Sequence, residues 1–316
     1  PQSRLILVVS SIFFIVLLLL GFYSHYHSNN NYLQIIFLNI GQGDATLITT
    51  TEGQHILIDC GPPDQAILNA LDQQLAWWDR NIDIIIITHD HADHWGGLKA
   101  ILKKYKVNQI ISAQPPQMST DLTSILDSFS SKGTKITNLY APAIINLTDG
   151  SRLAILWPTQ EDIVEQKNIN NQSLVIKWQY GQKSFLWTGD LETDAEDKLM
   201  ARYINQEPIN VLKVAHHGSW TATSPQWLNY WQPDLAVISV GINNNLGLPN
   251  EITLDRLKRQ GISIWRTDID NRLVIYTDGQ ALWRKQEPYL VTLRKMPPYQ
   301  LLIMLLYYNV GSGIVR

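Results

Sequence analysis

The densest run of reactive side chains is Thr88-His89-Asp90-His91-Ala92-Asp93-His94-Trp95-Gly96-Gly97, which holds three of the chain's eight histidines. It directly follows the apolar stretch Ile84 to Ile87, so five ionisable groups leave a buried strand together. Such a cluster is costly to desolvate unless a cation sits among it. The HxHxDH spacing offers imidazole nitrogens and a carboxylate, the donors that a borderline ion such as zinc takes at about 2.0–2.2 Å. The short alternation lets His89 and His91 reach one ion while Asp93 and His94 turn toward a second. Gly96 and Gly97 then allow a tight turn into a helix.

Two later pieces could complete a two-ion site, and each again follows a strand: Thr188-Gly189-Asp190 and His216-His217-Gly218-Ser219. Asp190 is expected to bridge two cations, the usual carboxylate role when ions lie roughly 3.5–4 Å apart. Adjacent histidines point in different directions, so one of the pair is expected to bind metal. The choice falls on His216, because the following residues form the turn. His217 is then left as a catalytic group that contacts substrate or donates a proton, alongside Asp93. Ser219 and Thr221 are loop hydroxyls able to bind substrate oxygens. Lys213, between Leu212 and Val214, is either a phosphate contact or a solvated strand residue. Asp44 either caps backbone amides or stands behind the metal ligands, and Asp59 either orients a metal-bound histidine or is a simple turn carboxylate.

The elements that position these groups follow from periodicity. Expected strands are Leu33–Leu38, Ala45–Thr50, His55–Ile58, Ile84–Thr88, Gln109–Ser112, Leu153–Trp157, Leu174–Gln179, Ser184–Thr188, Val211–Ala215, Leu235–Ser239, Ser263–Trp265 and Leu273–Tyr276. Expected helices are Asp64–Ala76, Gly97–Lys104, Thr120–Ser130, Thr193–Ile204, Pro225–Tyr230 and Leu254–Gln260. Several strands are apolar on both faces, as in sheets covered by helices, so an α/β fold of two sheets between helix layers is expected over residues 33–285. Leu5 to Tyr23 is apolar apart from Ser10, Ser11 and Gly21, roughly the length of a bilayer crossing. Residues 1–24 are therefore expected to form one transmembrane helix, with a cleaved signal peptide as the competing reading. Residues 25–32 would be a linker and 286–316 a tail without assigned role. Arg4 is the only charge ahead of Asp44, which places the remainder on the extracytoplasmic side of the cytoplasmic membrane. The chain starts with proline, as a processed product or a piece of a longer protein would.

A net charge of −3 provides no overall basic field, so any nucleic-acid contact must be local. The single cysteine, Cys60, excludes an internal disulfide and is expected as a buried thiol. The eleven tryptophans could stack on bases, although most, such as Trp157 and Trp178, sit in strand patterns that suit a core.

Further segments recur in a set order: Phe37-Leu38-Asn39-Ile40-Gly41-Gln42-Gly43-Asp44-Ala45, Leu57-Ile58-Asp59-Cys60-Gly61, Asn170-Asn171-Gln172-Ser173-Leu174-Val175, Ala236-Val237-Ile238-Ser239-Val240-Gly241 and Trp265-Arg266-Thr267-Asp268. With the histidine motifs, this order resembles the metallo-β-lactamase superfamily, and the fuller wording resembles the C-terminal domain of the ComEC competence proteins. The resemblance implies an αββα sandwich, two divalent ions (zinc, or manganese) and metal-assisted hydrolysis of DNA during its uptake. It also implies that the first helix is the last span of a polytopic channel. Two departures stand out. Gly247-Leu248-Pro249 occupies the place of a family Gly-His-Pro, and Asn171 stands where many members supply a further metal-binding histidine. Two other functions remain open: a phosphocholine-type small-ester hydrolase, since fold does not fix substrate, and a catalytically weak DNA-binding module of an uptake channel.

Overall fold

The computed structural model describes residues 10–17, 32–113, 118–204, 206–242 and 244–284. Of residues 284–316, only Arg284 is described. Residues 10–17 are helical, and most of the apolar run expected to span a membrane lies outside the described residues, as do residues 25–31 of the expected linker and the whole of 286–316. Among the described residues, no helix is long and apolar enough to cross a membrane.

Among the described residues, fifteen strands form two sheets. The first carries β1 (Leu33–Phe37), β2 (Thr46–Thr49), β3 (His55–Ile58), β4 (Asn81–Ile87), β5 (Lys106–Ser112), β6 (Lys135–Asn138), β14 (Leu273–Thr277) and β15 (Leu282–Arg284), ordered β15-β14-β1-β2-β3-β4-β5-β6. The second carries β7 (Ala143–Asn146), β8 (Arg152–Trp157), β9 (Val175–Tyr180), β10 (Lys183–Trp187), β11 (Val211–Lys213), β12 (Leu235–Ile238) and β13 (Ser263–Arg266), ordered β13-β12-β11-β10-β9-β8-β7.

Alternation along each strand sorts side chains between three apolar layers. On β4, Ile85 and Ile87 pack under the helices α1 (Ala66–Gln74), α3 (Leu98–Lys104) and α4 (Thr120–Ser130), whereas Ile86 faces the other sheet. On β10, Phe185 and Trp187 face the first sheet, and Leu186 packs under α6 (Thr193–Arg202), α7 (Pro225–Trp231) and α8 (Glu251–Arg259). The helices match this with stripes such as Leu122, Leu126 and Phe129 on α4. The layers are thus helix, sheet, sheet, helix.

Three strands that the periodicity does not predict, β6, β7 and β15, all lie at sheet edges. Edge strands are half-exposed and need no sustained apolar pattern: β7 reads Ala-Ile-Ile-Asn, with Ile144 in solvent. Three short helices were likewise unexpected: α2 (Ala92–Trp95), α5 (Gln160–Glu165) and α9 (Thr267–Asp270). Each is too short to show a period, although Thr159 and Asp162 form a capping box at the start of α5.

What matters for chemistry is strand direction. β3, β4, β5 and β6 run parallel to one another, as do β10, β11, β12 and β13. The carboxyl ends of β3 and β4 therefore share one edge of the first sheet, and those of β10, β11 and β12 share one edge of the second.

Candidate metal centre

Asp59, directly after β3, accepts hydrogen bonds from the Thr88 amide and hydroxyl, both at 2.8 Å, and its Oδ2 lies 2.8 Å from His94 Nδ1. It both secures the turn after β4 and orients a histidine, so the two roles weighed for it coexist. A carboxylate can only accept from a neutral imidazole N–H, so Nδ1 of His94 donates and Nε2 is directed into the site.

Asp190 follows Gly189 at the end of β10. Its amide donates to Ser173 Oγ at 3.0 Å. Gly189 has φ +49, and a Cβ there would lie 2.8 Å from Ser173 Oγ and 3.0 Å from Thr88 Cβ, so only glycine brings the sheets this close. Gly189→Ala is expected to cost about 1–3 kcal/mol in backbone strain alone and to displace Asp190. Denaturant titration and metal content check this together; an unchanged midpoint with unchanged metal uptake would refute it.

The two oxygens of Asp190 face different partners. Oδ1 lies 3.2 Å from His94 Nε2 and 3.8 Å from His217 Nε2, while Oδ2 lies 3.7 Å from His89 Nε2 and 3.9 Å from His216 Nε2. His89 Nε2 and His91 Nδ1 converge to 3.0 Å, and His217 Nε2 stands 3.1 Å from Asp93 Oδ2. Among the described residues four such groupings, His89–His94–Asp190, Asp93–His94–His217, Asp44–Asp190–His217 and Asp44–Asp59–His94, each place their donor atoms within 4.8 Å of one another. The fit to cations is direct: His94 Nε2 and Asp190 Oδ1 are buried and lack a hydrogen-bond partner, a costly state that an ion between them relieves.

His216 and His217 both adopt left-handed backbone, with φ 49 and 52. For non-glycine residues this stores roughly 1–2 kcal/mol each, and it turns the two rings apart. His217 is buried, and its Nδ1 donates to the Ser239 carbonyl at 2.9 Å. His216 is a quarter exposed, with Nδ1 3.3 Å from Glu192 Oε1. The structure thus draws His217, rather than the expected His216, into a cluster with Asp93 and His94. Lys213, expected in contact with phosphate or solvent, is instead buried, with Nζ 2.7 Å from Asp44 Oδ2. Ser219 is also buried, its hydroxyl 2.9 Å from that of Thr221.

Sequence reasoning missed Glu192. It accepts from Asn168, Asn170 and Thr221 around His216, and only its position two residues after Asp190 hints at a role. Asn171 uses its Oδ1 to accept the Glu192 amide. Leu248 is half-buried against the outer helix layer of the second sheet. Cys60 is buried and free.

Electrostatics follow burial. Burial pushes His94 and His217 toward the neutral form, but Asp190 and Asp59 hold His94 well above the usual histidine range, and Asp190 and Asp44 lift His217 to about 10. Burial opposes ionisation of Asp93, yet His217 and His94 bring it to about 2. Burial likewise keeps His89 well below its ordinary value, with His94 adding to the effect. The surrounding carboxylates therefore favour the protonated forms of His94 and His217 in the metal-free protein, and a cation competes with those protons. Metal uptake at pH 7 is expected to release protons and to weaken as pH falls. Calorimetry in two buffers of different ionisation enthalpy measures this; equal heats in both would exclude it.

The chain belongs to the metallo-β-lactamase superfamily, whose family model matches residues 38–242. Among its relatives are competence proteins of the ComEC type. It is 30% identical to competence protein ComA of Neisseria gonorrhoeae over 245 residues, and 31% identical to ComE operon protein 3 of Bacillus subtilis over 189. These matches cover 77% and 60% of the chain but 32% and 24% of the relatives, so the chain spans about a quarter to a third of their length. A shorter stretch of 58 residues is 45% identical to ribonuclease Z of Clostridium kluyveri, covering 18% of each protein. Among solved structures, the diiron β-hydroxylase CmlA of Streptomyces venezuelae superposes with TM-score 0.52 at 13% identity, covering 80% of this chain and 54% of that one. Igni18, a metallo hydrolase of Ignicoccus hospitalis, does so with TM-score 0.50 at 15% identity, covering 76% and 98%. These likenesses concern the fold.

Proposed function

We propose that the chain is a metal-dependent phosphodiesterase that cleaves DNA as part of a competence-type uptake system. The observation that carries this is the bridging geometry of Asp190, whose two oxygens face His94 and His217 on one side and His89 on the other. His89, His91 and Asp190 would hold one divalent ion, zinc or manganese, and Asp93, His94, His217 and Asp190 the other. Bound there, the ions supply Lewis acidity toward a phosphoryl oxygen and lower the pKa of water from 15.7 toward about 7. The chain's own residues do the rest. Asp59 and the Ser239 carbonyl fix the tautomers of His94 and His217. Glu192 holds His216 at the rim, where it is placed to contact the substrate or protonate the leaving oxygen.

DNA as substrate is supported by the competence relatives and by the ribonuclease match, which points to phosphodiester chemistry. The apolar run from Leu5 to Tyr23 supports tethering to the cytoplasmic membrane with the domain on its outer side. The greater length of the relatives supports a channel portion in the same or a neighbouring protein as partner.

The test is cleavage of single-stranded and duplex DNA by protein loaded with zinc or manganese, beside Asp93→Ala. Metal-dependent cleavage that the variant lacks is the expected result. A folded, metal-loaded protein that leaves both DNAs intact would overturn the nuclease assignment and favour a binding module.

A further inference from the structure

Lys213 is among the largest fully buried side chains, at 2% exposure, and the hydrolytic reading leaves it without a task. Its strand has both faces covered. By alternation Val211 and Lys213 point between the sheets, while Leu212 and Val214 point to the outer helices. A buried ammonium is tolerated only when paired. This one is held by Asp44 Oδ2 at 2.7 Å and by the Val214 carbonyl at 2.9 Å. The other oxygen of Asp44 lies 3.3 Å from His217 Nδ1, and His217 Nε2 lies 3.1 Å from Asp93. A continuous file of charged and polar groups, Lys213–Asp44–His217–Asp93, thus runs from the sheet interface to the metal cluster.

Accepting the metal assignment above, we propose that Lys213 is a positioning residue: it anchors the Asp44 carboxylate against the Nδ1 side of His217, so that Nε2 is presented to the ion shared with Asp93 and His94. The Ser239 carbonyl takes the Nδ1 hydrogen bond but carries no charge. The charged group beside the same nitrogen is Asp44, whose Oδ1 lies 3.3 Å from Nδ1 as an ion-pair partner, and Lys213 is the cation that holds its other oxygen. Outer partners of metal-bound histidines are worth roughly ten- to a hundredfold in metal affinity, so loss of Lys213 should weaken the His217 side selectively.

The test titrates the full chain with zinc against a competing chelator, in a His89→Ala/His91→Ala background that retains only the His217 side, and again with both histidines present. Lys213→Met is expected to weaken zinc on the His217 side about ten- to a hundredfold, while the His89 side changes by less than about threefold. Asp44→Asn should do the same, and Asp44→Asn/Lys213→Met should be no worse than Asp44→Asn, because Lys213 acts through Asp44. If either single variant does not fold, the double variant still decides, since it leaves no unpaired buried charge: it is expected to show the same selective loss on the His217 side, and wild-type zinc affinity in it would overturn the proposal. Wild-type zinc affinity in folded Lys213→Met, or a further tenfold loss in the double variant, would overturn the proposal. Failure of the wild-type chain to bind zinc would instead remove the metal assignment on which it rests.

Discussion

Asp190→Ala is expected to leave a folded protein that retains neither ion stoichiometrically and loses at least about 10³-fold in diester cleavage, the scale set by removing one preorganised electrostatic group. The physical case is positional. Asp190 turns separate oxygens toward His94 and His89, so its loss damages both ions, whereas loss of His89 or of His217 damages one. The fold should survive because the backbone anchors of this turn, the Asp190 amide to Ser173 and the His216 amide to the Gly189 carbonyl, use no atom of the Asp190 side chain. In the metal-free variant His94 and His217 lose the carboxylate chiefly responsible for raising them. They should then titrate closer to the ordinary histidine range. Elemental analysis and histidine titration by NMR read these effects separately. Two retained ions in Asp190→Ala would show that the bridge is not needed and would undo the two-ion arrangement.

The parts of this site that are local in sequence were legible. The isoleucines of β4 and the HxHxDH run after them announce a buried strand delivering metal donors, because the strand period and the donor spacing both lie within about ten residues. Fold class was legible for the same reason: alternation on strands apolar on both faces requires a covered sheet. What escaped was set by packing across the chain. The orientation of the His216–His217 pair depends on left-handed backbone and on the Ser239 carbonyl just after β12, neither of which has a local signature. Lys213, alternating with Leu212 and Val214, reads as a phosphate contact or a solvated strand residue. Its burial depends on Asp44, which arrives from a loop that begins the first sheet. Edge strands such as β6 and β7 escaped because half-exposed segments need no apolar period.

The histidine pair also carries the sharpest contrast expected of two neighbouring substitutions. His217→Ala should reduce the bound metal from two ions to one and lower cleavage by about 10³-fold or more, as loss of a group acting with its neighbours as one unit does. His217 is buried, its Nδ1 is committed to the Ser239 carbonyl, and its Nε2 stands beside Asp93 in a cluster of three donors. A cavity and an unsatisfied carbonyl left at a buried position should also lower stability by roughly 1–3 kcal/mol. His216→Ala should keep both ions. Its ring is partly in solvent, is held by Glu192, and lies outside every group of three converging donors among the described residues. Its effect should fall on turnover, by about 10²-fold, the usual worth of a positioned proton donor, and should be mimicked in part by Glu192→Gln. Metal counting decides between the two roles without any assay of activity. Loss of one ion in His216→Ala would make His216 a ligand on the Oδ2 side of Asp190, beside His89, and would return to it the metal-binding role that the turn after it first suggested.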